Sequence, residues 1–333
     1  MSIVRPLCAA ALVLLAAMTA PKLLTWPDLT SRPRPVPDAT ISYGADEMHK
    51  VDVWLPTVPR AGLHPTVLMV HGGCWQTSIA DRTLMNWIAD DLRRSGYAVW
   101  NIDYRGVDRP GGRHDGIFND VSQATDALRE HAATYRLDLS RVVAVGHSAG
   151  GHLALWLAAR PRLGRELLSK PADPLPIAHV VSLGGLPDLE QALAQKQGCG
   201  PEPIHQLLLP PPLDAAKVTR AERRAFMRDK SIPLMAPLGV PQSLVNGDKD
   251  RIIPIRFATD YARKMRAAGD SVTVRIVPNQ GHVELIAPET AAWAEAKRQI
   301  GGAFVTPALS RVPDSPPAQQ GSGTLGQARG DEE

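Results

Sequence analysis

Cysteine is scarce in this chain, with three in 333 residues, so a small scaffold stapled by several disulfides is excluded. Cys8 falls inside an apolar N-terminal run. Without that run only Cys74 and Cys199 remain, enough for one disulfide at most. Spacing cannot pair them, and two buried free cysteines are the simpler expectation. An excess of one charge is missing too: 37 Lys and Arg stand against 34 Asp and Glu. Setting aside Arg5 and Lys22 leaves 35 basic side chains against 34 acidic ones, which gives a nucleic-acid partner no electrostatic support. The basic residues between Lys217 and Lys230 are interleaved with Glu222 and Asp229, as on a solvated helix face. No group of histidines and carboxylates has metal-ligand spacing, so neither a metal nor another cofactor is expected. Internal repeats are absent as well.

The N-terminal apolar run, Leu7 to Met18, is shorter than the roughly 20 residues of a spanning helix. It follows a charged start at Arg5 and ends among small residues, Ala16 to Ala20, the layout of a secretory signal. Residues 1–24 are therefore expected to direct export to the periplasm or the extracellular space. Extension through Leu23 and Leu24 into an uncleaved membrane tether is the alternative. Cys8 has no preceding small-residue box for lipid attachment.

Composition is otherwise that of a globular protein, 44% hydrophobic and 21% charged, able to fill one sizeable core. Residues 25–37 read as a proline-rich linker, from Pro33 to Pro37 above all. The folded domain is expected over 38–305. Residues 306–333, rich in Pro, Gly, Ser and Gln, read as a disordered tail. Within the domain, short β-branched runs alternate with longer helical stretches, the pattern of a mostly parallel α/β sheet. Ile41 to Tyr43 and Val51 to Leu55 suggest an opening hairpin. Thr66 to Val70, Ala98 to Asp103, Val142 to Val145, Ala178 to Ser182, Gln242 to Val245 and Val272 to Val277 suit buried strands. Helices are expected at Leu84 to Arg94, Val121 to Tyr135, His152 to Ala159, Phe257 to Ala268 and Ala291 to Phe304. The stretch from about 187 to 237 breaks this rhythm. It is long and proline-studded and is expected to form a cap.

Gly146-His147-Ser148-Ala149-Gly150 follows one of the strands and opens a helix. A serine on so sharp a turn is lifted above the sheet edge, at the positive end of the helix that follows, where an oxyanion would be favoured. His147 cannot act as its base, because consecutive side chains on such a turn diverge. Upstream, a strand runs into His71-Gly72-Gly73-Cys74-Trp75. A glycine-rich loop there can offer backbone N–H groups to an oxyanion, with Gly73 and Cys74 as candidate donors beside Ala149. His71 is expected to brace the loop. Trp75 is expected to wall the substrate pocket or to pack beneath it.

A serine hydroxyl needs a base, and the base needs a carboxylate to fix its tautomer. His282, after Gly281 in a loop at a strand end, is the candidate base. The preceding strand ends in Asn246-Gly247-Asp248-Lys249-Asp250, where Asp250 lies far enough along to turn back toward His282 and Asp248 sits in the immediate turn. The order Ser, Asp, His along the chain is that of a known arrangement.

With these motifs and Asp103-Tyr104-Arg105, the chain from about 40 to 304 resembles the esterase and lipase branch of the α/β-hydrolases, especially kynurenine formamidase and feruloyl-esterase-like bacterial proteins. The resemblance implies an eight-stranded, mostly parallel sheet flanked by helices, with Ser148 as nucleophile, His282 as base and Asp250 as orienting acid. It also implies an oxyanion hole built from the Gly-Gly loop and Ala149. The expected activity is hydrolysis of carboxylic esters of small molecules through an acyl-enzyme, without a cofactor. An arylformamidase or small amidase is the alternative within the chemistry, and a non-catalytic secreted binding protein is the alternative outside it.

Overall fold

The computed structural model describes residues 22–163, 173–195 and 198–305. A short helix, α1 (Trp26–Thr30), precedes an antiparallel opening of β1 (Ala39–Ser42) and β2 (Lys50–Trp54). There follow β3 (His64–Val70), α2 (Asn86–Arg94), β4 (Ala98–Ile102), α3 (Asp115–Asp126), α4 (Leu128–Tyr135), β5 (Leu137–His147), α5 (Ala149–Ala159) and β6 (Ile177–Leu183). Three helices then interrupt the alternation: α6 (Leu189–Gln195), α7 (Pro201–Leu208) and α8 (Arg220–Met227). The chain closes with β7 (Gln242–Gly247), α9 (Arg256–Ala267), β8 (Val272–Val277) and α10 (Ala291–Val305).

The eight strands form one sheet in the order β1-β2-β4-β3-β5-β6-β7-β8. β2 pairs antiparallel with β1 and β4, and every later pairing is parallel. Side chains alternate across it, as the two-residue period requires. Leu68, Val70, Val142 and Ala144 face the layer of α3, α4, α5 and α9. Val67, Met69, Val143 and Val145 face α1, α2 and α10. Both faces are covered, which explains why the central strands read as continuous apolar runs.

The stretch between β6 and β7 is bound into the body. Ile204, Leu207 and Leu208 of α7 and Met227 of α8 belong to the same core cluster as Leu153 and Leu157 of α5. Just beyond α8, the carbonyl of Asp229 accepts from Trp156 Nε1 at 2.8 Å, and that of Lys230 lies 2.7 Å from His152 Nε2.

Two expectations are corrected. Cys74 and Cys199, taken as free, are joined in a disulfide with Cα atoms 5.2 Å apart across 125 residues of sequence. The loop after β3 and the stretch after α6 meet at the same edge of the sheet, a closeness that no spacing rule reveals. The folded domain also begins before Asp38. In the segment read as a linker, α1 buries Leu29 completely, and Trp87 Nε1 and Asn86 Nδ2 donate to the carbonyls of Pro33 and Pro35. Pro33 and Pro35 lack N–H groups, but their carbonyls still accept, so the extended chain docks through them.

The apolar run Leu7 to Met18, expected to be a signal, the stretch 306–333 expected to be a disordered tail, and residues 164–172 lie outside the described residues. Among the described residues no helix is long and apolar enough to cross a membrane. No group of three or more His, Cys, Asp or Glu among them could hold a metal ion.

Candidate active site

Ser148 sits between β5 and α5 with φ 54° and ψ −122°, a conformation that a side chain adopts only when its surroundings enforce it. Two contacts enforce it here. The Ser148 N–H donates to the carbonyl of Leu183 at the end of β6, at 2.8 Å. The flanking glycines let the turn close: a methyl group on Gly146 would strike the carbonyl of Gly150, and one on Gly150 would strike the carbonyls of Val70 and His71. The sequence Gly-x-Ser-x-Gly is thus the one that fits so tight a reversal against β3.

The loop after β3 lies directly on this turn. A Cβ on Gly72 would come within 3.0 Å of Ser148 Cβ and of His147 Nδ1. Gly73, Cys74 and Trp75 follow with φ of 100°, 52° and 59°. The N–H groups of Gly73, Cys74 and Ala149 donate to no acceptor among the described residues, which leaves them free for an incoming oxygen. The loop is braced from beneath. His71 Nδ1 lies 2.7 Å from the carbonyl of Gly72, and its Nε2 lies 3.0 Å from Asp103 Oδ1. Tyr104 stacks on the His71 ring at 4.2 Å and donates to the His71 carbonyl. Arg82 ties Asp103 to Asp52, and Arg105 forks onto Asp120. The Asp103-Tyr104-Arg105 sequence therefore supports the loop.

Trp75 is fully buried and stands edge-on to His152 at 5.6 Å.

The loops after β7 and β8 bring the carboxylate and the imidazole together. His282 Nδ1 lies 2.6 Å from Asp250 Oδ2, with both side chains buried. Asp250 Oδ1 accepts from the N–H groups of Ile252 and Ile253 at 2.9 and 2.7 Å, which fixes the carboxylate from the other side. Asp248 instead pairs with Lys249 and does not meet the histidine. With Nδ1 committed to Asp250, Nε2 is the nitrogen of His282 left to handle a proton. His147 packs against His282 with ring centroids 4.4 Å apart, and its Nε2 lies 3.2 Å from the His282 carbonyl. Burial, followed by the proximity of His282, pushes the His147 pKa well below the ordinary imidazole value, so this ring stays neutral beside the base.

Three neighbours of the site escaped the sequence reading. Cys199 anchors Cys74. Trp26 meets both His147 and His282 edge-on. Glu284, two residues beyond His282, accepts from Gly281 N–H at 3.0 Å and from Leu24 N–H at 2.5 Å. A signal for the second was present: Thr25-Trp26-Pro27-Asp28 carries a capping residue, a proline in the first turn and an acid three residues on, which together announce a helix start.

Residues 51–265 match the BD-FAE family model. A monoacylglycerol lipase of Mycolicibacterium smegmatis is 29% identical over 259 residues, covering 72% of this chain and 87% of that protein. The crystal structure of esterase B from Lactobacillus rhamnosis superposes with a TM-score of 0.66 at 18% identity, over 81% of this chain and 88% of that one. A truncated carbohydrate esterase from gut microbiota superposes with a TM-score of 0.62 at 19% identity, over 81% of this chain and 98% of that one. At such identities the two structures speak for the fold alone.

Proposed function

Because the chain belongs to the BD-FAE family, on the esterase and lipase branch of the α/β-hydrolases, we propose that its ester hydrolysis runs through an acyl-enzyme on Ser148. His282 Nε2 takes the hydroxyl proton as Ser148 Oγ attacks the ester carbonyl, and Asp250 holds the imidazole and stabilises the imidazolium. The negative charge on the carbonyl oxygen is met by N–H groups of Ala149 and of the Gly73-Cys74 loop, with the N-terminus of α5 behind it. His282 then gives its proton to the leaving alcohol. Water repeats the sequence in reverse and releases the acid. The observation that carries this reading is the buried Asp250–His282 pair, at 2.6 Å, on the same sheet edge as the strained serine turn.

Export belongs to the same reading. It is supported by the apolar run that follows Arg5 and by the pairing of Cys74 with Cys199, since such bonds persist in oxidising compartments.

The test is Ser148→Ala. Deleting one hydroxyl at a turn leaves packing almost unchanged, so the variant should fold while turnover of p-nitrophenyl acetate falls by about 10³-fold or more. A fluorophosphonate probe should label the wild type and miss the variant. A stable Ser148→Ala protein with near-native turnover would remove Ser148 from the mechanism. Extending the wild-type assay to graded acyl lengths and to aryl formamides then ranks the substrates.

A further inference from the structure

His282 is enclosed on more sides than its acid partner requires. Asp250 holds Nδ1, and His147 packs on one side of the ring. A third group comes from the far end of the chain: the Trp26 ring stands edge-on to His282 with centroids 6.1 Å apart and planes at 80°, and edge-on to His147 at 6.2 Å. The segment carrying Trp26 is fastened to the body at three points and capped within itself. Leu24 N–H donates to Glu284 Oε1 at 2.5 Å. Leu29 is wholly buried in the cluster that contains Leu285 and Trp293. Arg32 forks onto Glu289 at 3.0 and 2.6 Å. Finally, Thr25 N–H and its hydroxyl both donate to Asp28 and set the start of α1.

Glu284 links this strap to the base. Its second oxygen accepts from the N–H of Gly281, the residue before His282, and the carboxylate is buried with no Lys or Arg among its partners. A buried carboxylate is costly unless its lone pairs are filled, so each N–H is needed by the other's partner. Leu23 completes the contact, since a Cβ on Gly281 would lie 3.7 Å from Leu23 Cδ1.

We infer that the strap Leu23–Trp26 is part of the catalytic centre: Trp26 is a positioning residue that confines the His282 ring, and Glu284 is the clasp that couples the strap to the base loop. The inference rests on the roles proposed above for Ser148 and His282. Proton transfer is steep in geometry, and an imidazole free to tilt away from the serine loses rate even when substrate still binds. The strap should therefore act on kcat, leaving KM in place.

The experiment compares wild type, Trp26→Ala, Trp26→Phe and Glu284→Gln in the full chain. Readouts are kcat and KM for p-nitrophenyl acetate, the second-order rate of fluorophosphonate labelling at Ser148, and the melting temperature. Labelling requires the base but no leaving alcohol, so it reads His282 positioning directly. Trp26→Ala is expected to lower kcat and the labelling rate together by about tenfold or more, with KM within about twofold. Trp26→Phe, which keeps an aromatic edge, should recover most of both. Glu284→Gln keeps the volume, strands one N–H and should slow labelling severalfold. The latter variant keeps the test open if Trp26→Ala does not fold. Folded Trp26→Ala or Glu284→Gln protein that labels at the wild-type rate overturns the inference, as does a loss accounted for by the unfolded fraction alone. Ser148→Ala run in parallel separates the two claims: persistence of turnover there sinks the triad, whereas a dead Ser148→Ala beside a fully active Trp26→Ala sinks only the strap.

Discussion

Asp248 and Asp250 stand two residues apart on one loop, and side-chain direction separates them. Asp250 points inward, with one oxygen on His282 and the other on two backbone N–H groups, whereas Asp248 is partly exposed and faces Lys249. Converting Asp250 to Asn replaces the acceptor that selects the His282 tautomer. The ring can then present the wrong nitrogen to the serine, and kcat should fall by about 10³- to 10⁴-fold with the fold intact. Asp248→Asn removes the ion pair with Lys249 and weakens contacts with the Asn279 and Gln280 backbone, but leaves the acceptor on His282 in place, and should change kcat by less than about threefold. Steady-state kinetics on both variants at equal circular dichroism decides between them, and the reverse ranking would move the acid to Asp248. The Asp250–His282 pair and the sharp turn at Ser148 were legible from the chain because each sits in a local pattern tied to a strand end. Trp26 and Glu284 were not, since what matters about them is a meeting across 260 residues that no local pattern encodes.

At the scale of elements, the strands were legible where burial on both faces leaves an unbroken apolar run, as over Val67 to Val70 of β3 and Val142 to Val145 of β5. β5 extends back to Leu137, five residues before the expected start, because Leu137 and Asp138 still pair with His64 and Pro65 although Asp138, Ser140 and Arg141 interrupt the apolar run. A register shift beside β3 at Pro65 accommodates this irregular beginning. The single helix expected over Val121 to Tyr135 starts earlier, at Asp115, and is divided into α3 and α4 at Ala127. Its start has no Ser, Thr, Asp or Asn cap, only His114 at φ 53°, so the usual sequence mark was missing. The disulfide also acts at this scale, since it fastens the loop after β3 to the stretch between α6 and α7. Replacing both Cys74 and Cys199 by serine releases a loop of 125 residues, and chain entropy alone puts the lost stability at up to about 5 kcal/mol. The double variant should melt well below wild type under non-reducing conditions. It should also lose kcat, because the loop that offers the Gly73 and Cys74 amides is no longer held from outside. An unchanged melting temperature would mean that the stretch between β6 and β7 is held by its buried α7 and α8 faces alone.

For the whole molecule, acid is the expected weakness. Burial pushes the His152 pKa down to about 4, against a hydrogen bond with the Lys230 carbonyl, and burial pushes half-buried His179 to about 4 as well. Above about pH 6.5 neither the folded nor the unfolded chain binds these protons, and stability is unaffected. Between pH 6.5 and 4 the unfolded chain takes up protons that the native interior refuses, so stability falls as pH falls, by as much as about 3 kcal/mol for His152 alone. Melting temperatures measured from pH 8 to 4.5 should show this loss, and His152→Gln, which can still donate to the Lys230 carbonyl, should flatten it. An equal slope in that variant would assign the acid sensitivity elsewhere. The position of the strap has a further consequence, one of order in time. A chain is synthesised from its N-terminus, so Leu24 and Trp26 appear well before the groups that receive them, Gly281, His282, Glu284 and Trp293. Asp250 also comes late. The site can therefore assemble only when the first and last parts of the domain close on each other. A partly made chain carries the serine without its base, and the hydrolase stays inert until the base loop and the start of α10 have been made.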